Sequence, residues 1–167
     1  MPKKRFVMEH KYIAAELFTS GCNCAQAVFA AYSDLTGLDK ETALKLSSSF
    51  GGGMGKLREV CGAVTGAFAV AGALWGYSDV TDHNLKSKHY ELIRRIADDF
   101  KSENETIICD KLLIGIKNTK GKDPAKRDAE YYATRPCCKF VMDACDILDK
   151  IIKEKETENN REYAEIK

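Results

Sequence analysis

Residues 60–77 of this chain, VCGAVTGAFAVAGALWGY, contain no charged side chain. An uncharged run of this length forms either a transmembrane helix or a helix buried at the centre of a soluble fold, and it is near the lower limit for crossing a bilayer. Within it Gly62 and Gly66, and again Gly72 and Gly76, are four residues apart. This spacing lets another helix backbone approach closely in either setting.

The flanking sequence favours the buried helix. Amphipathic helices are predicted at about residues 82–101 and 136–153, and each needs an apolar partner to cover its apolar face. The two apolar faces consist of Leu85, Leu92, Ile93, Ile96 and Phe100 in the first, and of Val141, Met142, Cys145, Leu148 and Ile152 in the second. We therefore predict a central buried helix and no membrane insertion.

The other segments also indicate helices, because apolar residues recur three and four apart and alternating strand patterns do not. Helices are predicted over residues 7–18, from Asn23 onward, and after Asp39, which can cap a helix carrying Ala43, Leu46 and Phe50 on its apolar face. A short buried helix should contain Cys109, and residues 118–127 should form an exposed loop.

The predicted fold class is all-α, a single-domain helical bundle of about six to seven helices around a Gly/Ala-rich central helix. Residues 1–152 are expected to form this redox-type helical domain, and residues 153–167 a charged C-terminal tail. The chain has 167 residues, a length that suits one domain.

Charge and the first residues restrict partners and location. Lys and Arg number 26 against 25 Asp and Glu, without a long basic stripe, so nucleic acid is not expected as a partner. The first twenty residues lack the uninterrupted apolar stretch of an export signal. A cytoplasmic protein is therefore expected.

The seven cysteines are hard to explain as a disulfide framework in such a chain, because cytosolic thiols stay reduced and an odd count leaves one unpaired. Metal binding or thiol chemistry becomes the better interpretation. Several cysteines stand where helices should begin. Cys22 and Cys24 follow Gly21, Cys61 follows the glycine-rich residues 51–55, and Cys137 and Cys138 follow Pro136.

A helix N-terminus stabilises a thiolate and should lower the thiol pKa below its free value of about 8.5. Helix starts that converge on one pocket would favour an anionic assembly such as an iron–sulfur cluster, whose sulfurs also accept N–H bonds from a glycine-rich loop. The glycines predicted to contact such a cofactor are Gly51, Gly52, Gly53 and Gly62. For Cys145, packing in the core is the better interpretation.

Other motifs are weaker. No CxxC pair or Cys/His cluster of zinc-finger spacing is present. His10, His83 and His89 stand in polar surroundings and are predicted to be exposed, although His89 could alternatively reach the helix interior. Residues 50–58, FGGGMGKLR, lack the GKS or GKT ending of a phosphate-binding loop and are interpreted as an elbow that brings backbone close to Cys61.

Four segments together resemble the C-GCAxxG-C-C family of redox-active proteins, which has four characteristic cysteines. Residues 23–28 (NCAQAV) resemble its first block, residues 50–55 (FGGGMG) with 61–66 (CGAVTG) its central block, residues 109–115 (CDKLLIG) its third and residues 136–144 (PCCKFVMDA) its fourth. The similarity spans about residues 12–152. It implies a redox role. Related sequence occurs in split-Soret cytochromes, where an iron–sulfur centre accompanies haem, but this chain has no CxxCH motif, so no haem is implied.

Three hypotheses follow for function. The leading one is electron transfer or redox sensing through an iron–sulfur cluster or other metal–thiolate centre. The second is a metal-free dithiol oxidoreductase, in which one thiolate attacks a disulfide and another cysteine resolves the intermediate. The third is a zinc-stabilised, non-catalytic accessory protein. Whether the chain is an enzyme stays open between them, with oxidoreductase as the class.

The candidate redox residues are Cys24, Cys61, Cys109, Cys137 and Cys138. As metal ligands we select Cys24, Cys61, Cys109 and Cys138, and Cys137 is the alternative fourth ligand. The expected partner is a redox protein or a small-molecule thiol or disulfide. The oligomeric state stays open, with a homodimer as one option.

Overall fold

A computed structural model describes residues 9–117 and 119–165 of the chain, with side chains up to residue 161. Regular structure in these residues is helical, and their only β feature is an isolated antiparallel bridge between Val60 and Ile108. The predicted all-α class is therefore confirmed.

The helices are α1 (His10–Thr19), α2 (Cys24–Ala31), α3 (Ser33–Thr36), α4 (Lys40–Ser47), a 3₁₀ turn (Ser48–Phe50), α5 (Gly51–Met54), α6 (Gly62–Trp75), α7 (His83–Asn104), α8 (Cys109–Leu112), α9 (Ala129–Thr134) and α10 (Cys137–Glu165). Of these α5 is a single distorted turn, since Gly52 and Gly53 have φ values of 68° and 73°. Six helices have eight or more residues within the described ranges.

The uncharged segment forms the central helix of the bundle. The residues of α6 from Gly62 to Ala67 are all buried, and α2, α7 and α10 pack around the helix. It has 14 residues. No helix in the described residues has the length and apolar character needed to cross a membrane.

Glycines of α6 allow a close approach of α2. A Cβ atom at Gly66 would lie 2.9 Å from the carbonyl oxygen of Ala25 and 3.0 Å from Cβ of Val28, and one at Gly62 would lie 3.0 Å from the amide nitrogen of Ala25. A Cβ at Gly72 would meet nothing within 4 Å. Only the first of the two glycine pairs therefore serves a helix–helix contact.

Helices α2 and α4 each begin directly after a residue that caps them. The Asn23 side chain accepts a hydrogen bond from the Gln26 amide, and the Asn23 amide donates to the Gln26 side-chain oxygen, which completes a capping box for α2. Asp39 caps α4 through the Thr42 amide, as predicted. These caps fix where α2 and α4 begin.

Three predicted core positions are wrong. Leu46 is 58% exposed, Phe50 36% and Leu85 45%. On α4 the buried residues are Ala43 and Ser47. The buried face of this helix therefore contains Ser47 in place of the predicted Leu46. Phe50 belongs to the 3₁₀ turn after α4, where the α-helical period no longer applies.

His10 is held inside a side-chain cluster rather than exposed. Its Nδ1 lies 2.8 Å from Oδ1 of Asp149 and its Nε2 lies 3.2 Å from the Asp34 carboxylate, while its ring stacks on Tyr32. The hydroxyl of Tyr32 donates to Asp149 and to the carbonyl oxygen of Cys145. The hydrogen bond to Asp149 raises the pKa of His10. The imidazole ring joins α1 to α3 and α10 through these two carboxylates.

The last helix is longer than predicted. It continues without a break through residue 153 to Glu165, and most side chains of residues 153–161 are exposed. The division between a domain ending at residue 152 and a tail stays a prediction.

The α2–α6 contact gives a stability prediction. Gly66→Ala should lower the free energy of unfolding by about 1–3 kcal/mol, because its Cβ has no space against the α2 backbone. The matched change Gly72→Ala should leave stability unchanged or raise it by about 0.5–1 kcal/mol, since its Cβ has space and alanine favours the helix. Urea unfolding followed by circular dichroism measures both, and equal midpoints for the two variants would contradict the packing argument.

Candidate functional site

Four of the seven cysteines line one pocket, with a volume of about 260 Å³. They are Cys24, Cys61, Cys109 and Cys137, and all four are buried. Each stands at the start of a different helix: Cys24, Cys109 and Cys137 are the first residues of α2, α8 and α10, and Cys61 immediately precedes α6. Four distant segments thus bring their helix starts to one place.

Glycines allow the cysteine-bearing segments to come together. A Cβ atom at Gly53 would lie 2.7 Å from Cβ of Cys109, and one at Gly62 would lie 3.1 Å from Cβ of Cys24. A Cβ at Gly51 would lie 2.4 Å from the Asn23 side chain. Any larger residue at these positions would push the cysteines apart. Gly51, Gly52, Gly53 and Gly62 all line the pocket.

Backbone hydrogen bonds fix Cys61 beside Cys109. The amide of Cys61 donates to the carbonyl of Ile107 at 2.7 Å, and the amide of Cys109 donates to the carbonyl of Glu59 at 2.6 Å. These two bonds flank the bridge between Val60 and Ile108. The loop after α5 and the loop after α7 are therefore joined at the pocket.

Cys24 is fixed through the cap of its helix. The Asn23 side chain, besides capping α2, donates to the carbonyl of Ser48 at 3.1 Å. The Gln26 side chain donates to the carbonyl of Leu44 at 3.1 Å. The N-terminus of α2 is thereby attached to the end of α4, which sets the position of the first cysteine.

Three arginines surround the sulfur atoms. Nη1 of Arg58 donates to Sγ of Cys109 at 3.5 Å. The guanidinium of Arg127 lies 4.4 Å from the centre of the Tyr131 ring, and that of Arg135 lies 4.5 Å from the same ring. The Nη1 atom of Arg127 is buried and has no hydrogen-bond partner among the described residues. The pocket thus combines thiols with a strongly positive wall.

Cys137 differs from the other pocket cysteines in its acidity. A hydrogen bond from the Cys24 thiol lowers the pKa of Cys137, and the nearby positive charges of Arg135 and Arg127 lower it further, against the opposing effect of burial. The same hydrogen bond, together with burial, raises the pKa of Cys24 well above its ordinary value. Of the two sulfurs, Cys137 is therefore the more acidic and Cys24 is the hydrogen-bond donor.

Burial controls the other two pocket thiols. It raises the pKa of Cys61 to about 12 although the amides of Ala63 and Val64 favour the thiolate. It also raises the pKa of Cys109, against the opposing effect of Arg58. The expectation that each helix start lowers the pKa of its cysteine is wrong here, because desolvation outweighs the helix N-terminus.

The remaining cysteines lie off the pocket. Cys22 and Cys138 are half-buried, and Cys145 is fully buried within the core. Consecutive residues of an α-helix point about 100° apart, so Cys137 and Cys138 cannot face the same cavity. The structure places Cys137 on the pocket and Cys138 against the neighbouring core, whereas the sequence-based ligand set named Cys138.

Sequence reasoning missed the cationic part of the site. Arg58 ends the glycine-rich segment and Arg135 stands two residues before Cys137, so closeness to the motifs could have identified both. Arg127 and Tyr131 lie in and after a polar loop, and no pattern in the sequence connects them with the cysteines.

The arrangement can be tested against metal groups. Among the described residues no three Cys, His, Asp or Glu side chains form a group that could hold a single metal ion. A tetrahedral zinc site needs each sulfur at about 2.3 Å from one ion. The four thiols, the Arg58 donor and the buried unpaired Nη1 of Arg127 instead fit a larger anionic group within the pocket.

Comparison with known families gives one result. A family model with the description "Putative redox-active protein (C_GCAxxG_C_C)" matches residues 22–151. The matched range contains all four pocket cysteines and the glycines beside them. No curated protein and no solved structure matches the chain.

The hydrogen bond between the two sulfurs gives a reactivity prediction for protein freed of metal. Cys24→Ala removes the donor, so the pKa of Cys137 should rise and its alkylation midpoint should move to higher pH. Cys24→Ser keeps a donor and should shift the midpoint less. Mass spectrometry of iodoacetamide-treated peptides over a pH series measures both, and unchanged midpoints in both variants would show that Cys24 does not act on Cys137.

Proposed function

This chain belongs to the C_GCAxxG_C_C family of redox-active proteins, and we propose that its redox centre is an iron–sulfur cluster bound by Cys24, Cys61, Cys109 and Cys137. The role that follows is electron transfer or redox sensing. One observation carries the proposal: four buried cysteines from four separate helix starts line a single pocket.

The number and type of ligands support this choice. Iron–sulfur clusters are commonly bound by four cysteine thiolates, and a cluster has several metal ions over which the thiolates are distributed. The C-terminal ligand in this proposal is Cys137, because it lines the pocket and Cys138 does not.

The charge of the pocket supports an anionic occupant. A cluster with four thiolates is negatively charged, and buried charge is costly unless it is paired. Arg58 already donates to Cys109, and the buried Nη1 of Arg127 can donate to a further acceptor. Hydrogen bonds to cluster sulfurs also raise the reduction potential, so these two residues would tune it.

Proton release accompanies loading in this proposal. Burial keeps Cys61 protonated in the metal-free protein at neutral pH, since its pKa is about 12. Metal-bound cysteines are thiolates, so binding releases protons and weakens as the pH falls. When bound, the cluster supplies one-electron chemistry. The chain's own residues hold it, exclude water and provide compensating positive charge.

The adjacent cysteines provide the direct test. Wild-type protein purified without oxygen should contain iron and sulfide and absorb visible light. Cys137→Ser should lose most of that absorbance, whereas the matched change Cys138→Ser should retain it, because only Cys137 lines the pocket. Far-ultraviolet circular dichroism checks that both variants are folded.

Two results would count against the cluster proposal. A wild-type protein without iron and sulfide after anaerobic purification and reconstitution would overturn it. Loss of absorbance in Cys138→Ser with retention in Cys137→Ser would overturn the ligand assignment and favour the set selected from the sequence.

A second candidate is metal-free thiol–disulfide exchange, favoured by the hydrogen bond between Cys24 and Cys137. The Cys137 thiolate would attack one sulfur of a substrate disulfide, and the other sulfur would leave as a thiolate. Cys24 would then lose its proton to that leaving group and attack the Cys137 sulfur, which releases the second substrate thiol. Two electrons pass to the substrate, and a Cys24–Cys137 disulfide remains.

This candidate predicts one specific disulfide. Metal-free protein treated with oxidised glutathione should form the Cys24–Cys137 bond, and Cys24→Ser should instead retain glutathione on Cys137. Peptide mapping by mass spectrometry distinguishes these products, with Cys22 and Cys138 as internal controls because they lie off the pocket. A dominant disulfide at any other pair would exclude this mechanism.

A further inference from the structure

A second cavity adjoins the cysteine pocket. Its volume is about 520 Å³, and it shares Lys56, Ala125, Tyr131 and Arg135 with the pocket as a common wall. We propose that this cavity binds a small anionic molecule bearing carboxylate or phosphate groups. The inference names the substrate class for the redox centre and rests on the proposed function for its purpose, although the binding itself does not require a cluster.

The second cavity has the size of a small-molecule site. Binding sites for small molecules and cofactors usually occupy about 300–1,000 Å³, and the second cavity falls within this range. The cysteine pocket is smaller, at about 260 Å³. A centre bound by the four cysteines would therefore leave the larger cavity for an organic ligand.

Basic residues outnumber acidic ones in the wall of the second cavity. The basic residues that line the cavity are Lys56, Lys117, Lys120, Lys126 and Arg135, and the acidic ones are Asp123, Asp128 and Glu130. The cavity wall thus has an excess of positive charge, although the whole chain has a formal net charge of only +1. Clefts lined by one sign of charge attract ligands of the opposite sign.

The lysines of this cavity form no ion pair with its acidic residues in the part of the chain that the structure describes. The Asp128 carboxylate accepts from the Tyr131 amide at 3.0 Å, where it caps α9. Lys56 donates to the backbone carbonyl of Asp123 rather than to its carboxylate. An anionic ligand can therefore supply the missing partner.

The common wall connects the ligand with the redox centre. Tyr131 and Arg135 line both cavities, and their side chains stack on each other. Burial raises the pKa of Tyr131 to about 12, so its hydroxyl stays protonated and neutral at physiological pH. An anion bound in the second cavity would therefore lie directly across the common wall from the cysteine pocket.

The test compares two disulfide reagents on reduced, metal-free protein. One is 5,5′-dithiobis(2-nitrobenzoate), which carries two carboxylates, and the other is uncharged 4,4′-dithiodipyridine. If the cavity binds anions, the rate of thiol modification should saturate with concentration of the first reagent and rise linearly with the second. Inorganic pyrophosphate should compete with the charged reagent and leave the neutral one unaffected.

Substitution of lysines tests whether the charged reagent binds in the second cavity. Lys120→Glu combined with Lys126→Glu should slow the charged reagent by about tenfold or more below saturation and change the neutral rate less than twofold. These two lysines line the second cavity but not the cysteine pocket. The control Lys88→Glu with Lys153→Glu makes the same charge change on exposed positions of α7 and α10 and should leave both rates unchanged.

A rate that rises linearly with the charged reagent would overturn the proposal. If that linear rate still fell with salt, the positive charge would form a diffuse surface field suited to an acidic partner protein rather than a site for a small anion. Equal effects of the two double variants would also overturn it. Because the protein contains no metal in this experiment, the result is separate from that of the iron and sulfide analysis.

Discussion

The backbones of α2 and α6 touch at Gly62 and Gly66, without side chains between them. This contact places Cys24, at the start of α2, beside the start of α6, where Cys61 stands. The other helices arrange themselves around the pair: α1 and α4 pack on α2, and α7 and α10 pack on α6. The bundle is thus centred on a contact made possible by residues that lack a side chain, and the cysteine pocket lies at one end of it.

Within the pocket two physical effects oppose each other. Burial favours neutral thiols, whereas Arg58, Arg127 and Arg135 favour thiolates. The outcome differs from one sulfur to the next: Cys61 stays protonated at neutral pH, while Cys137 gains a hydrogen bond from Cys24 and becomes the most acidic of the four. A site that is buried but surrounded by cations suits either a bound anion or one selectively reactive thiolate, and both candidate functions derive from this balance.

Local sequence patterns predicted the helices, whereas features that depend on contacts between distant segments could not be predicted. The uncharged run, the Asn23 and Asp39 caps and the glycine-rich elbow each act within a few residues of their effect, so the all-helical class and the cysteine-bearing helix starts could be predicted. His10 could not, since its partner Asp149 is 139 residues away. The choice between Cys137 and Cys138 depends on the rotation of α10 about its own axis, which is set by tertiary packing. The thiol pKa values depend on burial, and a helix start by itself does not determine burial.

The cluster around His10 has a consequence for the order in which this molecule is assembled. It joins α1 to α10 across most of the chain. Cys137 is the first residue of α10, and Cys24 is the first residue of α2, which packs on α1. Contacts between such distant segments carry a high loop-closure cost and tend to form late in folding. The four thiols therefore meet in one pocket only when α10 docks, so a metal centre bound by all four would be completed at that step. Visible absorbance from a bound cluster would then indicate that the protein has folded completely.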